Sequence, residues 1–393
     1  AEARALLGDL RDLRRALHAD PEVGLELPRT QARVLDALAP LGLEVTTGRA
    51  LSSVVAVLRG GRPGPAVLLR GDMDALPVAE ATGLPFASAN GAMHACGHDL
   101  HTAGLVGAAR LLVAHRDELP GSVVFMFQPG EEGLGGARLM IEEGVLDAAG
   151  ERVVAAYGVH MLPGPRGVFR TKPGPLMAGG NRLFVTVRGR GGHGSQAWTA
   201  VDPVSVLLEI GLALEVMVTR RFGVADPVVL SVTQLAASDA VNVIPETARL
   251  GATVRTLSPA TVPLVRDFAT RVAQGVAAAH GCTVEVEFDP YYPPTVNDPD
   301  EARFALTTLA DALGADRVAE LDFPQMASED FSFVLREVPG CFLFLGSTPP
   351  ETDPDAAPSL HSNGAVFDDA VLADQAYALA TLAWRRLGGG PLP

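Results

Sequence analysis

Short apolar runs alternate with helical patterns along the first half of the chain, and this alternation restricts the fold more than any other feature. The runs SSVVAVLRG, PAVLLRG, GSVVFMFQPG and RVVAAYGVHM have the length and residue types of strands. Between the later ones, TAGLVGAARLLVAH and ARLMIEEGVL have helical spacing. Strands that alternate with helices form βαβ units, so the sequence predicts an α/β domain with a mostly parallel central sheet.

The order of predicted elements changes at about residue 178. Four strand-like runs, RLFVTVRG, VVLSVTQL, TARLGATVRT and TVEVEF, combine with two long helical patterns in the order β-α-β-β-α-β. This is the order of a ferredoxin-like α+β domain. After a linker at 290–299, helix and strand patterns resume up to a closing helix. We therefore predict an α/β domain made of residues 1–177 and 291–393, interrupted by a ferredoxin-like insert at 178–290.

Charge and composition argue against several classes of protein. The formal net charge of −15 disfavours nucleic acid or an anionic membrane as the main partner. Apolar runs are interrupted well before the roughly 18 residues that span a bilayer, and no charged-then-apolar leader suggests secretion. Three widely spaced cysteines do not suggest a disulfide framework. We predict a cytoplasmic protein.

Side chains that commonly bind metals or move protons cluster near the ends of the predicted strands. They are Asp72 and Asp74 after PAVLLRG, Cys96 and His98 before a helix, Glu131 and Glu132 after VVFMFQPG, His160 in VVAAYGVH, and His361 beyond CFLFLGS. The carboxyl ends of parallel strands meet at one edge of a sheet, where binding sites form. The sequence therefore predicts a metal site at this edge.

The stretch GAMHACGHDLHTAG is ambiguous when taken alone. If it is an extended loop, the side chains of Cys96 and His98 point the same way, as a shared metal ion requires. A buried cysteine beside a helix cap, with Asp99 as the N-cap, explains the same residues equally well. A Cys–His nucleophilic dyad is less favoured, because residues two apart rarely align for proton transfer.

The adjacent carboxylates Glu131 and Glu132 are more informative. Burying two carboxylates after an apolar strand is costly unless they are paired or bind a cation. One could hold a metal while the other takes a proton from water, although a solvated turn is the alternative. The histidines at 94 and 101 are predicted to orient the ligands rather than to bind the metal.

The insert carries three further candidates. His193 lies in the glycine-rich stretch RGRGGHGSQAW, Asn242 lies in DAVNVIPETA, and Arg255 ends the following strand. A guanidinium is suited to binding a substrate carboxylate. A flexible hairpin and a surface salt bridge are the alternatives for the histidine and the arginine.

Eight motifs together resemble one known family. They are RGDMDALPV, GAMHACGHDLHTA, FQPGEEGLGGARLMIEEG, GVHMLP, GRGGHGSQ, NVIPETARL, SEDFSF and LHSNGAVFDD. Their order is similar to that of the M20 family of metal-dependent amidohydrolases and peptidases. The greatest similarity is to its aminoacylase-like branch, which includes hippurate hydrolases and auxin-conjugate amidohydrolases. The resemblance extends from the first helix to the last.

The resemblance implies a site for two divalent metal ions. The implied ligands are Cys96, His98, Glu132, His160 and His361. Glu131 matches the general base, and His193 matches a histidine that reaches the active site of the partner subunit. Asn242 and Arg255 match positions that help to hold substrate. The insert would be a lid that mediates homodimer formation.

The sequence departs from the family pattern at several positions. Asp72 stands where related branches have a metal-binding histidine, so we expect Asp72 and Asp74 to support the ligands instead. The glycine-rich loop usually continues toward Pro-His, whereas this chain has Gln-Ala-Trp ending at Trp198. Ala252 stands in a strand position that is usually glycine. The first of these changes lies near His193 and could alter the substrate pocket.

The hypothesis that follows is hydrolysis of the amide bond of an N-acyl amino acid, hippurate-like or acetyl-amino-acid-like. A water that bridges two metal ions would be deprotonated by Glu131. The donor set suits Zn²⁺ or Mn²⁺ and is compatible with Ni²⁺ or Co²⁺. Three alternatives stay open: a small-peptide exopeptidase or dipeptidase, a non-catalytic metal-holding binding protein, and a cysteine-dependent hydrolase.

Overall fold

The computed structural model describes residues 1–392, which form two compact units. The first unit contains Ala1–Leu176, Val296–Phe323 and the residues from Asp330 onward. The second contains Met177–Thr295 and the short segment Pro324–Glu329. The sequence pattern did not predict that this short segment belongs with the insert.

The elements are numbered in chain order. The strands are β1 Glu44–Thr47, β2 Val54–Arg59, β3 Arg62–Asp72, β4 Pro120–Gln128, β5 Ala155–Leu162, β6 Phe169–Thr171, β7 Gly174–Met177, β8 Gly179–Arg188, β9 Gly192–His193, β10 Val228–Ala236, β11 Val243–Ile244, β12 Thr247–Thr256, β13 Thr283–Tyr292, β14 Thr295–Asn297, β15 Val318–Glu320 and β16 Gly340–Gly346. The helices are α1 Glu2–Ala5, α2 Leu7–His18, α3 Pro28–Leu38, α4 His98–Ala114, α5 Gly136–Glu142, α6 Pro203–Arg221, α7 Thr261–Ala279, α8 Pro299–Leu313, α9 Ser332–Glu337 and α10 Val371–Arg386.

The first unit is built on an eight-stranded sheet in the order β1-β2-β4-β3-β5-β16-β6-β15. Its four central strands, β4, β3, β5 and β16, are parallel to one another, whereas β2 and β6 on either side of them pair antiparallel. These strands are buried over most of their length, as expected for a sheet covered on both faces. The predicted α/β architecture with a mostly parallel central sheet is confirmed.

One edge of this sheet is antiparallel and was not predicted. β2 and β3 are joined by Gly60 and Gly61 but do not pair, because β4 lies between them. A Cβ on Gly61 would lie 2.5 Å from the carbonyl oxygen of Asp117, and one on Gly60 would meet Leu119 still more closely. The connection therefore passes the start of β4 at a distance that only glycine allows.

Helices α4 and α10 pack against each other, and both contact the sheet of the first unit. Leu100, Leu105 and Leu112 of α4 are completely buried in the same core as Leu372 and Leu379 of α10. Burial of each leucine contributes about 1.5–3 kcal/mol, so the start of α4 is held rigidly on the sheet. Across residues 1–392, no helix is both long enough and apolar enough to cross a membrane.

The second unit has a four-stranded antiparallel sheet in the order β10-β12-β8-β13. Apolar side chains of α6 and α7, including Ile210, Leu214 and Val265, form a core with Leu183 and Val254 of the sheet. The element order β-α-β-β-α-β and the strand order are those of a ferredoxin-like domain, which confirms the predicted fold class of the insert.

Candidate active site

Strand register brings the candidate loops to one edge of the central sheet. β3 and β4 are parallel, and Asp72, the last residue of β3, pairs with Gln128, the last residue of β4. The loop that carries Glu131 and Glu132 follows directly. His160 lies near the carboxyl end of β5, on the other side of β3. The predicted convergence of these strand ends is present in the first unit.

Cys96, His98 and His160 form one cluster of potential ligands. All three are buried, and their ligand atoms lie within 4.8 Å of one another. The Cys96 sulfur is 3.4 Å from Nε2 of His160. Cys96 lies in a turn rather than on an extended loop, and Gly97 at φ +80° separates it from His98, which begins α4. The turn, not extended spacing, brings the two side chains together.

Cys96 also belongs to a second cluster, with Glu132 and His361. These three ligand atoms again lie within 4.8 Å of one another. Oε1 of Glu132 is 3.1 Å from Nε2 of His361. His361 has φ +65° and donates its backbone N–H to Ala95 at 3.0 Å. A non-glycine residue in this conformation costs of order 1–3 kcal/mol, and such strain is concentrated at functional sites.

The environment of His98 fits a cation. Its Nδ1 donates to the backbone carbonyl of Asp74 at 2.8 Å, so Nε2 carries the lone pair that a metal requires. Nε2 is buried and makes no hydrogen bond to any described residue, with an Asp72 oxygen 3.5 Å away. An unsatisfied buried nitrogen costs about 1–3 kcal/mol, which a bound cation would remove. The donor set of one thiolate, three imidazoles and one carboxylate suits a transition metal.

The protonation equilibria of the cluster also fit cation binding. Burial raises the pKa of the Cys96 thiol, whereas the nearby His361 and His98 rings act to lower it. Hydrogen bonds with Cys96 and Glu132 raise the pKa of His361 to about 10. These contacts therefore favour a proton on the His361 ring beside Cys96 and Glu132. A divalent cation would replace that proton, because metal ligands bind in their deprotonated forms.

Asp74 positions the Glu131–Glu132 turn. Its Oδ1 accepts the backbone N–H of Glu131 and its Oδ2 accepts that of Glu132, both at 3.0 Å. The Glu131 side chain is only 6% exposed, and its carboxylate lies within 4.8 Å of ligand atoms of His98 and Glu132. The position is therefore one from which a base could take a proton beside the two clusters.

His101 lies beside the clusters but has both ring nitrogens occupied. Its Nδ1 donates to Oδ1 of Asp72 at 2.5 Å, and its Nε2 accepts the backbone N–H of Met161 at 2.8 Å. These contacts assign the ring proton to Nδ1 and leave no lone pair for a metal. His94 is buried as well, and burial lowers its pKa to about 4 despite the Asp99 charge.

The predicted N-cap role of Asp99 is wrong. The N-cap of α4 is Gly97, in the left-handed region, and no side chain caps the helix there. Asp99 instead lies in the first turn, where Oδ2 is 2.7 Å from Nε of Arg14 and 2.7 Å from Nδ1 of His18. A buried carboxylate requires a partner, and α2 supplies two. Arg14 and His18 were not identified from the sequence as partners of Asp99, although an arginine on the buried face of a helix was a signal.

In the second unit, His193 and Asn242 are neighbours. β9 pairs with β11, and the backbone N–H of Gly194 donates to the Asn242 carbonyl at 2.8 Å. Nδ1 of His193 accepts from the Ser195 backbone at 3.2 Å and lies 2.8 Å from its hydroxyl oxygen. The ring proton is therefore on Nε2 of an exposed side chain. Ser195 was not singled out from the sequence.

Arg255 lies away from His193. β12 begins at Thr247, shortly after β11, the strand that pairs with the strand of His193. Arg255 is eight residues farther along β12, roughly 26 Å at the rise of an extended strand. The guanidinium is half-buried and donates through Nη1 to the hydroxyls of Tyr291 at 2.7 Å and Ser328 at 3.2 Å. The structure thus brings Asn242, but not Arg255, to the predicted histidine within this unit.

Comparison with known proteins gives one family over most of the chain. The family model described as Peptidase family M20/M25/M40 matches residues 68–385. Thermostable carboxypeptidase 1 of Saccharolobus solfataricus is 38% identical, with 94% of this chain and 93% of that protein covered. IAA-amino acid hydrolase ILR1-like 5 of Arabidopsis thaliana is 37% identical, with 95% of this chain and 86% of that protein covered.

A solved structure extends the similarity to the fold. The crystal structure of a Bacillus subtilis protein described as a dinuclear metal binding peptidase from the M20 family matches with a TM-score of 0.82 and 32% identity. The match covers 98% of this chain and 99% of that chain. A family match over most of the sequence, relatives above 30% identity and a shared fold agree with one another. The chain belongs to the M20/M25/M40 peptidase family and is a metal-dependent amidohydrolase.

Proposed function

We propose that this protein hydrolyses the amide bond of N-acyl amino acids, with Glu131 as the general base beside a site for two divalent metal ions. The observation that carries the proposal is the pair of ligand clusters that share Cys96, with the Glu131 carboxylate next to them. The name of the Arabidopsis relative, IAA-amino acid hydrolase ILR1-like 5, supports the substrate class.

Two groups of side chains would hold the metal ions. They are Cys96, His98 and His160 for one ion, and Cys96, Glu132 and His361 for the other. When bound, divalent ions polarise a scissile carbonyl and lower the pKa of water. Zn²⁺ and Mn²⁺ are the proposed ions, and the single soft thiolate favours Zn²⁺.

Glu131 would move the proton during hydrolysis. Its carboxylate would take a proton from the attacking water and then deliver it to the nitrogen of the leaving amine. The backbone hydrogen bond to Asp74 holds the start of this loop, so the carboxylate would reach a reacting water without a loop rearrangement. Burial of the Glu131 side chain excludes bulk water that would compete for the proton.

Residues of the second unit would bind the rest of the substrate. His193 presents an Nε2–H donor, the tautomer required to stabilise a developing oxyanion. Asn242, adjacent to His193, would donate through its side-chain amide to the acyl or carboxylate oxygen of the substrate. Arg255 is oriented by two hydroxyls and would pair with the substrate carboxylate.

The substitution Glu131→Gln tests the base. It keeps the size of the side chain but removes its basicity, so we expect loss of turnover with nearly unchanged metal content. Glu142→Gln, an exposed change on α5, is the matched control and should retain full activity. Substantial turnover by the Glu131 variant would contradict the proposed mechanism.

A hydrolysis panel separates the proposal from its alternatives. N-acyl amino acids and dipeptides are assayed after chelation and after metal restoration. Preference for N-acyl amino acids supports the proposal, whereas preference for dipeptides favours an exopeptidase, as the name of the Saccharolobus relative suggests for that protein. Activity that survives chelation but is lost on thiol alkylation would indicate a cysteine-dependent hydrolase. Binding without turnover would indicate a metal-holding binding protein.

We also infer that the chain forms a homodimer through the second unit. Leu208, Leu212 and Val216 of α6 are spaced four residues apart and are 52%, 67% and 59% exposed. A continuous exposed apolar stripe of this kind is typical of an interface, and β10 beside it is an edge strand. A second copy of the chain would cover both.

The dimer is tested by light scattering coupled to size exclusion. Leu212→Glu should give a monomer, whereas Gln274→Glu on the exposed face of α7 should leave a dimer. A wild-type monomer at micromolar concentration would contradict the inference.

The cytoplasmic location suggested by the cysteine content stays a prediction.

A further inference from the structure

We propose that Arg70 is a positioning residue of the metal centre, which sets His160 through Asp72 and His101 and anchors the Glu131 loop through Asp330. The proposal rests on the metal centre of the proposed function. Arg70, Asp72, His101 and Asp330 are not among the proposed metal ligands or substrate-binding residues. The chain of contacts has two branches that begin at one buried guanidinium.

Arg70 is buried within β3, where its neighbours in the sequence are apolar. It is 1% exposed, and its guanidinium lies 5.7 Å from the ring centre of Phe331 and 5.9 Å from that of Phe342. Water cannot solvate a charge in this position, so protein groups must do so. The costly placement of an arginine in a central strand indicates a specific role for its three nitrogens.

Each nitrogen of the guanidinium has a different acceptor. Nε donates to Oε1 of Gln128 at 2.9 Å, Nη1 lies 2.7 Å from Oδ2 of Asp72, and Nη2 donates to Oδ1 of Asp330 at 3.1 Å. Only a planar fork reaches three acceptors in fixed directions, and the single ammonium of a lysine cannot. Arg70 thereby joins the ends of β3 and β4 to the segment that begins at Asp330.

The first branch leads to His160. Asp72 accepts from Nδ1 of His101 at 2.5 Å, and Nε2 of His101 accepts the backbone N–H of Met161 at 2.8 Å. The Met161 carbonyl in turn accepts Nδ1 of His160 at 2.7 Å, which directs Nε2 of His160 toward Cys96 at 3.4 Å. The position of this ligand is therefore linked to Arg70 by one ion pair and the hydrogen bonds that follow it.

The second branch holds both ends of the loop that carries Glu131 and Glu132. Asp330 accepts from the side chain of Gln128, directly before the loop, at 2.8 Å. It also accepts the backbone N–H of Ala137, at the start of the helix that follows, at 2.9 Å. A single buried carboxylate thus fixes the loop at its entry and its exit, and Arg70 balances its charge.

Arg70 also keeps Asp72 away from the metal ligands. Both Asp72 oxygens are engaged, Oδ1 by His101 and Oδ2 by Arg70. Oδ2 is nevertheless only 3.5 Å from Nε2 of His98. If the ion pair with Arg70 is lost, the Asp72 carboxylate can turn toward the cluster of metal ligands and add an oxygen donor. The consequence would be a change in coordination, not only a loss of stability.

The variant Arg70→Lys tests the proposal in the full-length protein with Co²⁺ as the probe. Cobalt affinity is measured by competition with a chelator, and the d–d and thiolate-to-cobalt absorption bands report the coordination of the bound ion. We expect affinity to fall about 10–100-fold, as for loss of groups that orient metal ligands. The bands should shift in energy or intensity. Arg59→Lys on β2, a half-exposed arginine paired with Glu44, is the matched control and should change neither readout.

A purely structural role for Arg70 would lower the melting temperature but leave cobalt affinity and the bands of the bound ion unchanged, and that result would overturn the proposal. If Arg70→Lys does not fold, His101→Asn tests the same branch. The shorter asparagine keeps a donor near Asp72 but cannot also reach the Met161 N–H, and the same two readouts must change. Absence of metal binding by the wild-type protein would instead refute the proposed function, so the two failures are distinguishable.

Discussion

Asp74 holds the backbone of Glu131: its carboxylate oxygen Oδ1 accepts the Glu131 N–H at 3.0 Å. The other oxygen accepts the N–H of the next residue at the same distance, so one carboxylate orients two consecutive peptide groups. The carbonyl of Asp74 accepts Nδ1 of His98 at 2.8 Å. Asp74 therefore contacts both the proposed base and a proposed metal ligand. The order of these residues in the sequence does not reveal these contacts.

Replacement of Asp74 should impair catalysis more than metal binding. In Asp74→Asn, the amide offers one acceptor and turns its NH₂ group toward the other backbone N–H, so the turn must shift. We expect kcat to fall about 10–100-fold while KM changes little. Steady-state kinetics with an N-acyl amino acid measure the effect. Asp12→Asn, at a side chain that is 74% exposed, is the control, and equal kinetics of the two variants would contradict the prediction.

The buried pair of Arg14 and Asp99 should dominate the stability of the first unit. Arg14 is 1% exposed, and Arg14→Met leaves the Asp99 carboxylate without its guanidinium partner. We expect a loss of about 3–5 kcal/mol, seen as a lower urea midpoint of the chelator-treated protein. Arg11→Met, a surface change, should shift stability by about 0.5 kcal/mol at most. If Arg14→Met and Asp99→Asn add without coupling, the pair is not the cause.

Burial of His94 should produce an acid-dependent loss of stability. Burial lowers its pKa from 6.5 to about 4 in the folded chain. Between these values the unfolded chain binds more protons, so stability falls as pH falls, by about 1.4 kcal/mol per unit at most, and this effect levels off below the folded pKa. Above pH 6.5 both states are neutral and the residue has no effect. His94→Gln should flatten the slope of urea midpoint against pH from 6.5 to 4 in metal-free protein.

The half-exposed residue His280 provides the control for this measurement. His280→Gln should retain the slope of the wild-type protein. An unchanged slope in His94→Gln would show that other groups cause the acid sensitivity.

The turn between Cys96 and His98 should depend on Gly97. It adopts φ +80°, and a Cβ there would lie 3.2 Å from Cβ of Met161. Gly97→Ala should therefore cost about 1–2 kcal/mol and also weaken metal binding, because the two ligands separate. Gly8→Ala, at a helical glycine with nothing within 4 Å, should be neutral or stabilising. Calorimetry and metal titration of the two variants compare the effects, and equal metal affinity would exclude this role of the turn.

The prediction of the fold succeeded where local pattern and global arrangement coincide. The runs that became β3, β4 and β5 are apolar because both faces of the sheet are covered, so period and composition were sufficient. The antiparallel edge was missed because no local signal shows that β4 separates β2 from β3. The cap assigned to Asp99 was wrong for a similar reason, since its partner Arg14 is distant in sequence.

The sequence by itself determined the family, the fold class and the residue types of the candidate site, because motif order, hydrophobic periodicity and ligand chemistry are local properties. Only the tertiary structure decided which atoms meet. It made Cys96 a member of two ligand clusters and put His361 in a left-handed conformation. It also gave both ring nitrogens of His101 a hydrogen-bond partner. It also gave Arg70 three acceptors from three segments. These arrangements depend on packing between residues far apart in the chain, where the burial of each polar group selects its partner.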